Sequence, residues 1–301
     1  HSLKDDKKAL EFSGNYNSLV DSNNMQIFID VNDFNLNHIN TYLPFLDPLK
    51  VLFTGYLNLY GNINEPKFEG EFVAEEVYLT VPYLNVDFKT IGESNVHLSQ
   101  DLIELNNFSF QSIDKGSSIG DGTLNGTFKH HYFYDINIDM NLKVDSLLCL
   151  NTDAYGDNAY FGKVISTGDV LFNGESNLLS IDFNGSSDKG TTLYIPLDDN
   201  ETIDESRFVH FIEQEINKNN NDSLLLLSEI INSESNLSID MNFMLNENAE
   251  VNLIFDETLG DKIRARGSGF INLGFNSADD VYMYGDYKVN EGDYLFTLQN
   301  F

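Results

Sequence analysis

Apolar and polar residues alternate along much of this 301-residue chain. The clearest run is Tyr132 to Val144, where every even-numbered residue is apolar and every odd-numbered residue except Phe133 is polar. Successive side chains of a strand point to opposite faces, so this pattern predicts a strand with one apolar and one solvated face. Thirteen residues at about 3.3 Å each reach roughly 43 Å, which is longer than most globular strands and indicates a wide sheet.

A loose repeat of strands and glycine turns recurs along the chain. Its copies lie near 54–80, 168–195 and 267–296. The pattern predicts three strands in each copy, and the third carries a tyrosine, namely Tyr78, Tyr194 or Tyr294. Because the spacing is uneven, the pattern is compatible with an elongated sheet that stacks on itself and with three meanders of an ordinary β-sandwich.

Two regions break the strand period. Apolar residues at helical spacing predict a short helix over 34–46 and a helical insertion over 204–232, where an asparagine-rich segment separates two short helices. These helices could close an open end of the sheet, or they could pack on it in the ordinary way.

The composition limits the classes of partner. The formal net charge is −31 and the sequence pI is about 4.2, which disfavours nucleic acid and anionic membrane surfaces, since phosphate contacts need Lys and Arg. Cys149 is the only cysteine, so the chain forms no intrachain disulfide and no cysteine-based zinc site. The chain lacks an initiator Met and ends within an apolar strand pattern, and we therefore expect it to be a segment of a longer protein.

Candidate chemistry is sparse. His130 and His131 are adjacent and would point to opposite faces of a strand, and the acidic run 198–205 lacks the spacing of a calcium loop. We find none of the hydrolase, metalloprotease or P-loop motifs. A carbohydrate-active enzyme would need a carboxylate pair in a cleft, and the lack of Trp disfavours such a cleft. We therefore expect no enzymatic activity, no metal and no cofactor.

Several glycine-punctuated segments carry a family resemblance: 55–72, 162–164 with Gly168 and Gly174, 190–197, 267–273 and 284–298. In this order they resemble the conserved C-terminal region of the TamB family, which comprises AsmA-like, bridge-type proteins of Gram-negative envelopes. The resemblance implies a mostly β fold, in which residues 1–301 form one elongated antiparallel sheet. That sheet is curved into an open trough, a β-taco, with two or three short helices.

The resemblance also implies a function. Such a protein lies in the periplasm, bridges the inner and outer membranes, and carries phospholipid in a hydrophobic groove. It supports outer-membrane biogenesis, including protein assembly, with a BamA-like barrel partner of the TamA type. An inner-membrane anchor would lie in a part of the protein outside this chain.

The alternating pattern itself nominates residues for an apolar lining, because acyl chains need no hydrogen bonds. Ten candidates come from two strands: Tyr132, Tyr134, Ile136, Ile138, Met140, Leu142, Leu237, Ile239, Met241 and Phe243. The alternative is a non-enzymatic β-sandwich or solenoid with a closed, dry core. It would serve as an interaction scaffold whose edge strands recruit partners by strand addition.

Overall fold

Eighteen β-strands form the part of the chain that the structure describes. In this computed structural model the described residues are 3–4, 7–19, 24–35, 49–82, 84–131, 134–153, 160–175, 178–196, 236–256, 261–276 and 279–295. In chain order the strands are β1 Leu3–Lys4, β2 Lys7–Lys8, β3 Leu10–Tyr16, β4 Met25–Asn35, β5 Leu49–Asn62, β6 Glu65–Val81, β7 Val86–Thr90, β8 Ser94–Ser99, β9 Leu102–Asp114, β10 Ser117–His131, β11 Tyr134–Thr152, β12 Phe161–Glu175, β13 Leu178–Ser187, β14 Thr192–Pro196, β15 Asn236–Leu245, β16 Glu250–Asp256, β17 Asp261–Asn276 and β18 Asp279–Leu295.

Sixteen of these strands form one sheet, and β1 and β2 form a separate pair. Neighbouring strands are antiparallel from β3 through β12, because most are joined by short turns. Three strands of the sheet are interrupted, so that two short strands pair side by side with one long neighbour. These short pairs are β8 with β7, β13 with β14, and β15 with β16.

The interruptions close a ring of six strands, and the predicted open trough is therefore wrong. β12 pairs with β13 and β14, while β17 pairs with β15 and β16. β13 pairs with β15 and β14 pairs with β16, both in parallel, which completes the ring. The ring depends on two interruptions, one between β13 and β14 and one between β15 and β16, which lie next to each other in space. The alternation of residues within a single strand does not encode this arrangement. At these breaks Asn246 N–H donates to Ser187 Oγ at 3.0 Å.

The predicted helices gain no support from the structure. The described residues contain no helix. The insertion at 204–232 lies outside them, as does most of the span 34–46. Phe34 and Asn35 are the last residues of β4, so the first two positions of that predicted helix are strand.

The first and third repeated segments fold as pairs of long strands, whereas the second spans three strands. The first lies in β5 and β6, the second in β12, β13 and β14, and the third in β17 and β18. Tyr194 lies on a separate third strand, β14. Tyr78 and Tyr294 instead lie within the unbroken 17-residue strands β6 and β18, so the predicted third strands of those copies are wrong.

The sheet curls tightly along one margin. Asn151 N–H donates to the carbonyl oxygen of Leu84 at 2.9 Å, and Asn85 Nδ2 donates to the carbonyl oxygen of Asn151 at 2.6 Å. These bonds join β11 to the turn before β7. Lys163 Nζ lies 2.6 Å from Asp114 Oδ2 and joins β12 to β9. Both contacts connect strands three places apart, which a flat sheet would hold about 14 Å apart.

Buried apolar side chains gather along this curled margin in three clusters. The central cluster contains Val86, Phe88, Val144, Leu147, Leu148 and Ile165. It is flanked by Leu49, Val51, Ala74 and Val77 on one side and by Leu193, Ile195, Leu245, Ala249 and Val251 on the other. Burial of these side chains supplies the main favourable term for closing the margin.

Three strands, β4, β9 and β11, contain β-bulges of the same kind, and each bulge shifts the register of pairing with the neighbouring strand. Each contains a residue with positive φ whose amide donates to a side-chain oxygen on the neighbouring strand. That oxygen replaces the ladder partner that the bulge removes. The pairs and N···O distances are Asp33 with Thr54 Oγ1 (3.2 Å), Asn107 with Asn125 Oδ1 (2.7 Å) and Ser146 with Thr167 Oγ1 (2.9 Å).

Candidate functional site: an apolar track across the sheet

Apolar residues and glycines of neighbouring strands lie opposite one another and form two continuous rows on one face of the sheet, one across eleven strands and one across ten, which we call the apolar track. The first row is Leu10, Val31, Gly55, Phe72, Val96, Leu105, Gly126, Met140, Phe172, Ile181 and Ile239. The second row is Phe12, Ile29, Leu57, Gly70, Leu98, Ile103, Phe128, Ile138, Gly174 and Leu179.

The opposite face of the same strands is polar. The residues between the two apolar rows form a row of their own: Glu11, Asp30, Tyr56, Glu71, His97, Glu104, Thr127, Asp139, Asn173, Ser180 and Ser238. Five of these are carboxylates, and Glu71 Oε1 lies 2.8 Å from His97 Nδ1. A sheet with one apolar and one charged face has one side that solvent favours and one that an apolar ligand favours.

The track is long and is partly open to solvent. Eleven strands at about 4.8 Å spacing extend for about 50 Å. Most of the track side chains are half-buried, whereas the clusters at the curled margin are buried. At the β3 end Phe12 is 64% exposed. The track therefore presents apolar surface over its length, beside a dry margin that holds the sheet together.

Glycines in the track mark points where neighbouring strands approach too closely for a side chain. A Cβ at Gly55 would lie against the carbonyl oxygen of Glu71, and a Cβ at Gly126 would lie against that of Asp139. These are backbone atoms, so a local side-chain adjustment cannot relieve the contact. Glycine at these two positions lets the paired strands lie close together, and it adds no polar side chain to the track.

A histidine and an aromatic ring border the track on the side away from the curled margin. Phe68 and His130 stack with ring centroids 6.2 Å apart and 9° between planes, and both side chains are buried. They belong to β6 and β10, which are three places apart, and they meet past the tip of the β8–β9 hairpin. Desolvation lowers the pKa of His130, so the ring is neutral at physiological pH.

A family comparison identifies this two-faced sheet. The family model for the TamB C-terminal domain matches residues 111–301, which is well over half of the chain. The chain belongs to the TamB family. Searches of curated proteins and of solved structures give no match. The TamB family comprises non-enzymatic transport and assembly proteins of the Gram-negative envelope, with a role in the translocation and assembly module that serves outer-membrane proteins.

Nine of the ten lining candidates predicted from the sequence lie in β11 and β15 of this TamB domain. Six lie on the track face: Ile138, Met140 and Leu142 of β11, and Ile239, Met241 and Phe243 of β15. Leu142 and Met241 share a further row with Val170 and Phe183, and Phe183 packs on Phe243 at 6.0 Å between ring centroids. Their contact with lipid stays a prediction.

For the other four candidates the structure does not establish that the side chain lies on the track face. Ile136 is a half-buried residue of β11. Leu237 lies opposite Leu179 in the register, and Tyr134 opens β11. Tyr132 lies outside the described residues.

Sequence reasoning missed most of the track. The missed positions lie on the strands before β11 and on β12 and β13, for example Leu57, Ile103, Phe128, Phe172 and Ile181. Each of these strands shows the same alternation as β11, in a shorter or glycine-interrupted form. Applying the period-two test to every strand would have nominated them.

Other kinds of site are lacking in the described part of the TamB domain. No group of three His, Cys, Asp or Glu side chains there is arranged to hold a metal ion. Burial raises the pKa of the Cys149 thiol to about 12, and such a thiol is a poor nucleophile. Among the described residues no helix is long and apolar enough to span a bilayer.

Proposed function

We propose that this TamB-family chain carries phospholipid acyl chains along the apolar track, as a periplasmic segment that bridges the inner and outer membranes. One observation carries the proposal: apolar residues and glycine fill the same register position across eleven strands, while the reverse face is polar. A structural core alone needs no such continuity, because the margin clusters already bury the side chains that hold the sheet together.

The dimensions and energetics of the track suit this cargo. One leaflet of the hydrocarbon core of a bilayer is about 15 Å thick, so a track of about 50 Å exceeds the length of one acyl chain several-fold. A methylene covered on one side gains about 0.4 kcal/mol, half the value for full burial. Because successive rows offer similar contacts, a chain that slides along the track exchanges one set of contacts for an equivalent set.

A charge introduced on the track tests this function. Ile138→Asp places a carboxylate in the second row, and Asn137→Asp places the same carboxylate one residue away on the polar face. We expect Ile138→Asp to abolish co-purification of phospholipid, measured by native mass spectrometry and lipid extraction from an envelope preparation. Asn137→Asp should leave it unchanged. Equal lipid content in two folded variants would refute the proposal.

Photo-crosslinking gives an independent measurement. Benzoylphenylalanine at Met140 or Ile181 should form adducts with radiolabelled phospholipid in the envelope. The adjacent positions Asn141 and Asp182, on the opposite face, should form none. Adducts of equal yield from both faces would show that lipid contact is unrelated to the track.

An interaction role at the edge of the sheet is favoured by a second observation. Proteins of the TamB family work with a TamA-type partner in assembly. Within the described residues β18 pairs only with β17, which leaves one edge of a 17-residue strand available for strand addition. A crosslinker at Tyr284 of β18 should capture a barrel partner, whereas one at Tyr56 of the inner strand β5 should not. Capture from Tyr56 alone would argue against docking at this edge.

A further inference from the structure

The stacked rings of Phe68 and His130 connect two strands that the β8–β9 hairpin separates. Phe68 belongs to β6 and His130 to β10, and their ring centroids lie 6.2 Å apart beyond the hairpin tip. The N–H of His130 donates to the carbonyl oxygen of Asp101 at this tip, at 2.9 Å. Phe68 is 8% exposed and His130 is 5% exposed. We call this pair of rings the aromatic clasp, because it joins β6 to β10 past the tip.

The clasp places a titratable group beside an uncharged surface. By the alternation of β10, His130 lies on the same face as Phe128 of the second row, and Phe68 lies on the same face as Gly70 of that row. Neither row of the apolar track contains an ionisable side chain. An imidazole changes charge between about pH 5 and 8, so His130 can respond to pH where the rows of the track cannot.

The ionisable groups near His130 do not outweigh its burial. Asp101 at the hairpin tip favours the charged imidazole, and the neighbouring His131 disfavours it. Loss of hydration is larger than either effect, and it lowers the pKa of His130. Other charged residues close to the clasp on its strands and on β11 point to the opposite face or are exposed: Lys67 and Glu69 of β6, Lys129 of β10 and Asp135 of β11.

We propose that the aromatic clasp is a proton-sensitive closure, in which protonation of His130 withdraws its ring from Phe68 into water and releases β10 from β6 beyond the hairpin tip. A charged imidazole at this buried position has lost nearly all of its hydration, and a cation–π contact with Phe68 offsets only part of that loss. The charged ring regains hydration by leaving the stack. The closure does not depend on lipid transport, because it needs only the two rings and water.

The direction of the pH dependence follows from linkage. The closed clasp contains the neutral ring with its lowered pKa, whereas the open clasp contains a hydrated imidazole with an ordinary pKa of about 6.5. The open form therefore binds protons more readily. As pH falls below about 6.5, the ratio of open to closed clasp should rise by up to tenfold per pH unit, until the closed form also takes up the proton.

Fluorescence tests the opening directly. The chain contains no Trp, so Phe68→Trp supplies a single indole within the clasp. We expect the emission of a buried indole at pH 7.5 and a shift of the peak to longer wavelength with a midpoint below about pH 6.5. Far-UV circular dichroism at each pH reports whether the sheet stays folded. A peak that does not move in the folded protein would overturn the proposal, and so would a shift that coincides with unfolding of the whole sheet.

Hydrogen exchange of the parent chain gives a second measurement that needs no substitution. The His130 N–H, which bonds to the Asp101 carbonyl oxygen, should lose protection between pH 7.5 and pH 5.5. The N–H of Phe128 in the same strand is the reference and should keep its protection, after correction for the intrinsic pH dependence of exchange. Equal changes at the two amides would contradict a local opening.

Two histidine variants in the Phe68→Trp background assign the effect. His130→Phe keeps an aromatic pair without a titratable ring, and its emission peak should be the same at pH 7.5 and pH 5.5. His131→Phe makes the same substitution at the next residue, which is exposed, and should retain the shift. A shift that persists in His130→Phe, or that disappears in His131→Phe, would assign the opening to another group and overturn the proposal.

Discussion

The buried hydroxyl of Thr191 joins the turn between β13 and β14 to Ile165 of β12, and we expect removal of this hydroxyl to destabilise the protein. Thr191 is 1% exposed. Its Oγ1 accepts the N–H of Ile165 at 3.0 Å and donates to the carbonyl oxygen of Ile165 at 2.9 Å. Thr191→Val keeps the shape of the side chain and removes both bonds. The Ile165 carbonyl keeps the N–H of Asp188 at 2.8 Å, but the Ile165 amide loses its acceptor.

The expected loss follows from these contacts. A buried N–H left without an acceptor costs about 1–3 kcal/mol, and the lost second bond to the carbonyl adds about 1 kcal/mol. Thr191→Val should therefore lower the free energy of unfolding by about 2–4 kcal/mol. Since domains are stable by only about 5–15 kcal/mol, the change is a large part of the total.

Urea unfolding followed by circular dichroism measures this change, and two variants serve as controls. Thr191→Ser keeps the hydroxyl and should cost no more than about 1 kcal/mol for the lost methyl group. Thr192→Val makes the same substitution at the next residue, which is half-buried in β14, and should stay within about 0.5 kcal/mol of the parent. A Thr191→Val variant as stable as Thr192→Val would refute the role of this hydroxyl.

Three further predictions concern titratable groups. The lowered pKa of His130 means that the unfolded chain binds more protons just below about pH 6.5, so stability should fall as pH drops below that value. His130→Phe should remove this loss in urea unfolding at pH 7.5 and 5.5, and an unchanged pH dependence would contradict the assignment. The Cys149 thiol, with its pKa of about 12, should react with a disulfide reagent at pH 8 far more slowly in the native protein than a free thiol does, and native-state labelling at the rate of a free thiol would contradict the raised pKa. The hydrogen bond from Lys163 lowers the pKa of Asp114, so the pair stabilises above the ordinary carboxyl pKa and less as pH falls through the lowered value. Lys163→Met should cost about 1–2 kcal/mol at pH 7 and progressively less as pH falls below the ordinary carboxyl pKa of about 3.9, whereas a cost that does not change with pH would exclude an ionic origin.

Local patterns in the sequence predicted the strand character and the two faces correctly for β11 and β15. In β11 the alternation of Ile138, Met140 and Leu142 with Asn137, Asp139 and Asn141 requires only that successive side chains point in opposite directions. This property belongs to one strand and needs no knowledge of its neighbours. The family assignment also followed from the sequence, because glycine-punctuated segments in a fixed order carry it.

The local pattern of apolar and polar residues could not predict the ring of strands or the curled margin of the sheet. The ring requires β13 to lie beside β15 in parallel, with residues 188–235 between them, and no local pattern encodes that pairing. The curl joins Asn151 to Leu84, which are 67 positions apart. An open trough was the expectation because the family resemblance implied it, whereas the one solvated face of each strand was equally compatible with a sandwich.

The continuity of the apolar track was likewise decided by tertiary structure. Each strand contributes an apolar face by its own alternation, but a shift of one residue in any pairing would place polar side chains in the row. Bulges at Asp33, Asn107 and Ser146 adjust the register, and oxygens on the neighbouring strands hold them. The sequence by itself determined which residues of a strand are apolar. Only the pairing of strands, which depends on hydrogen bonds between distant residues, aligned them into one surface.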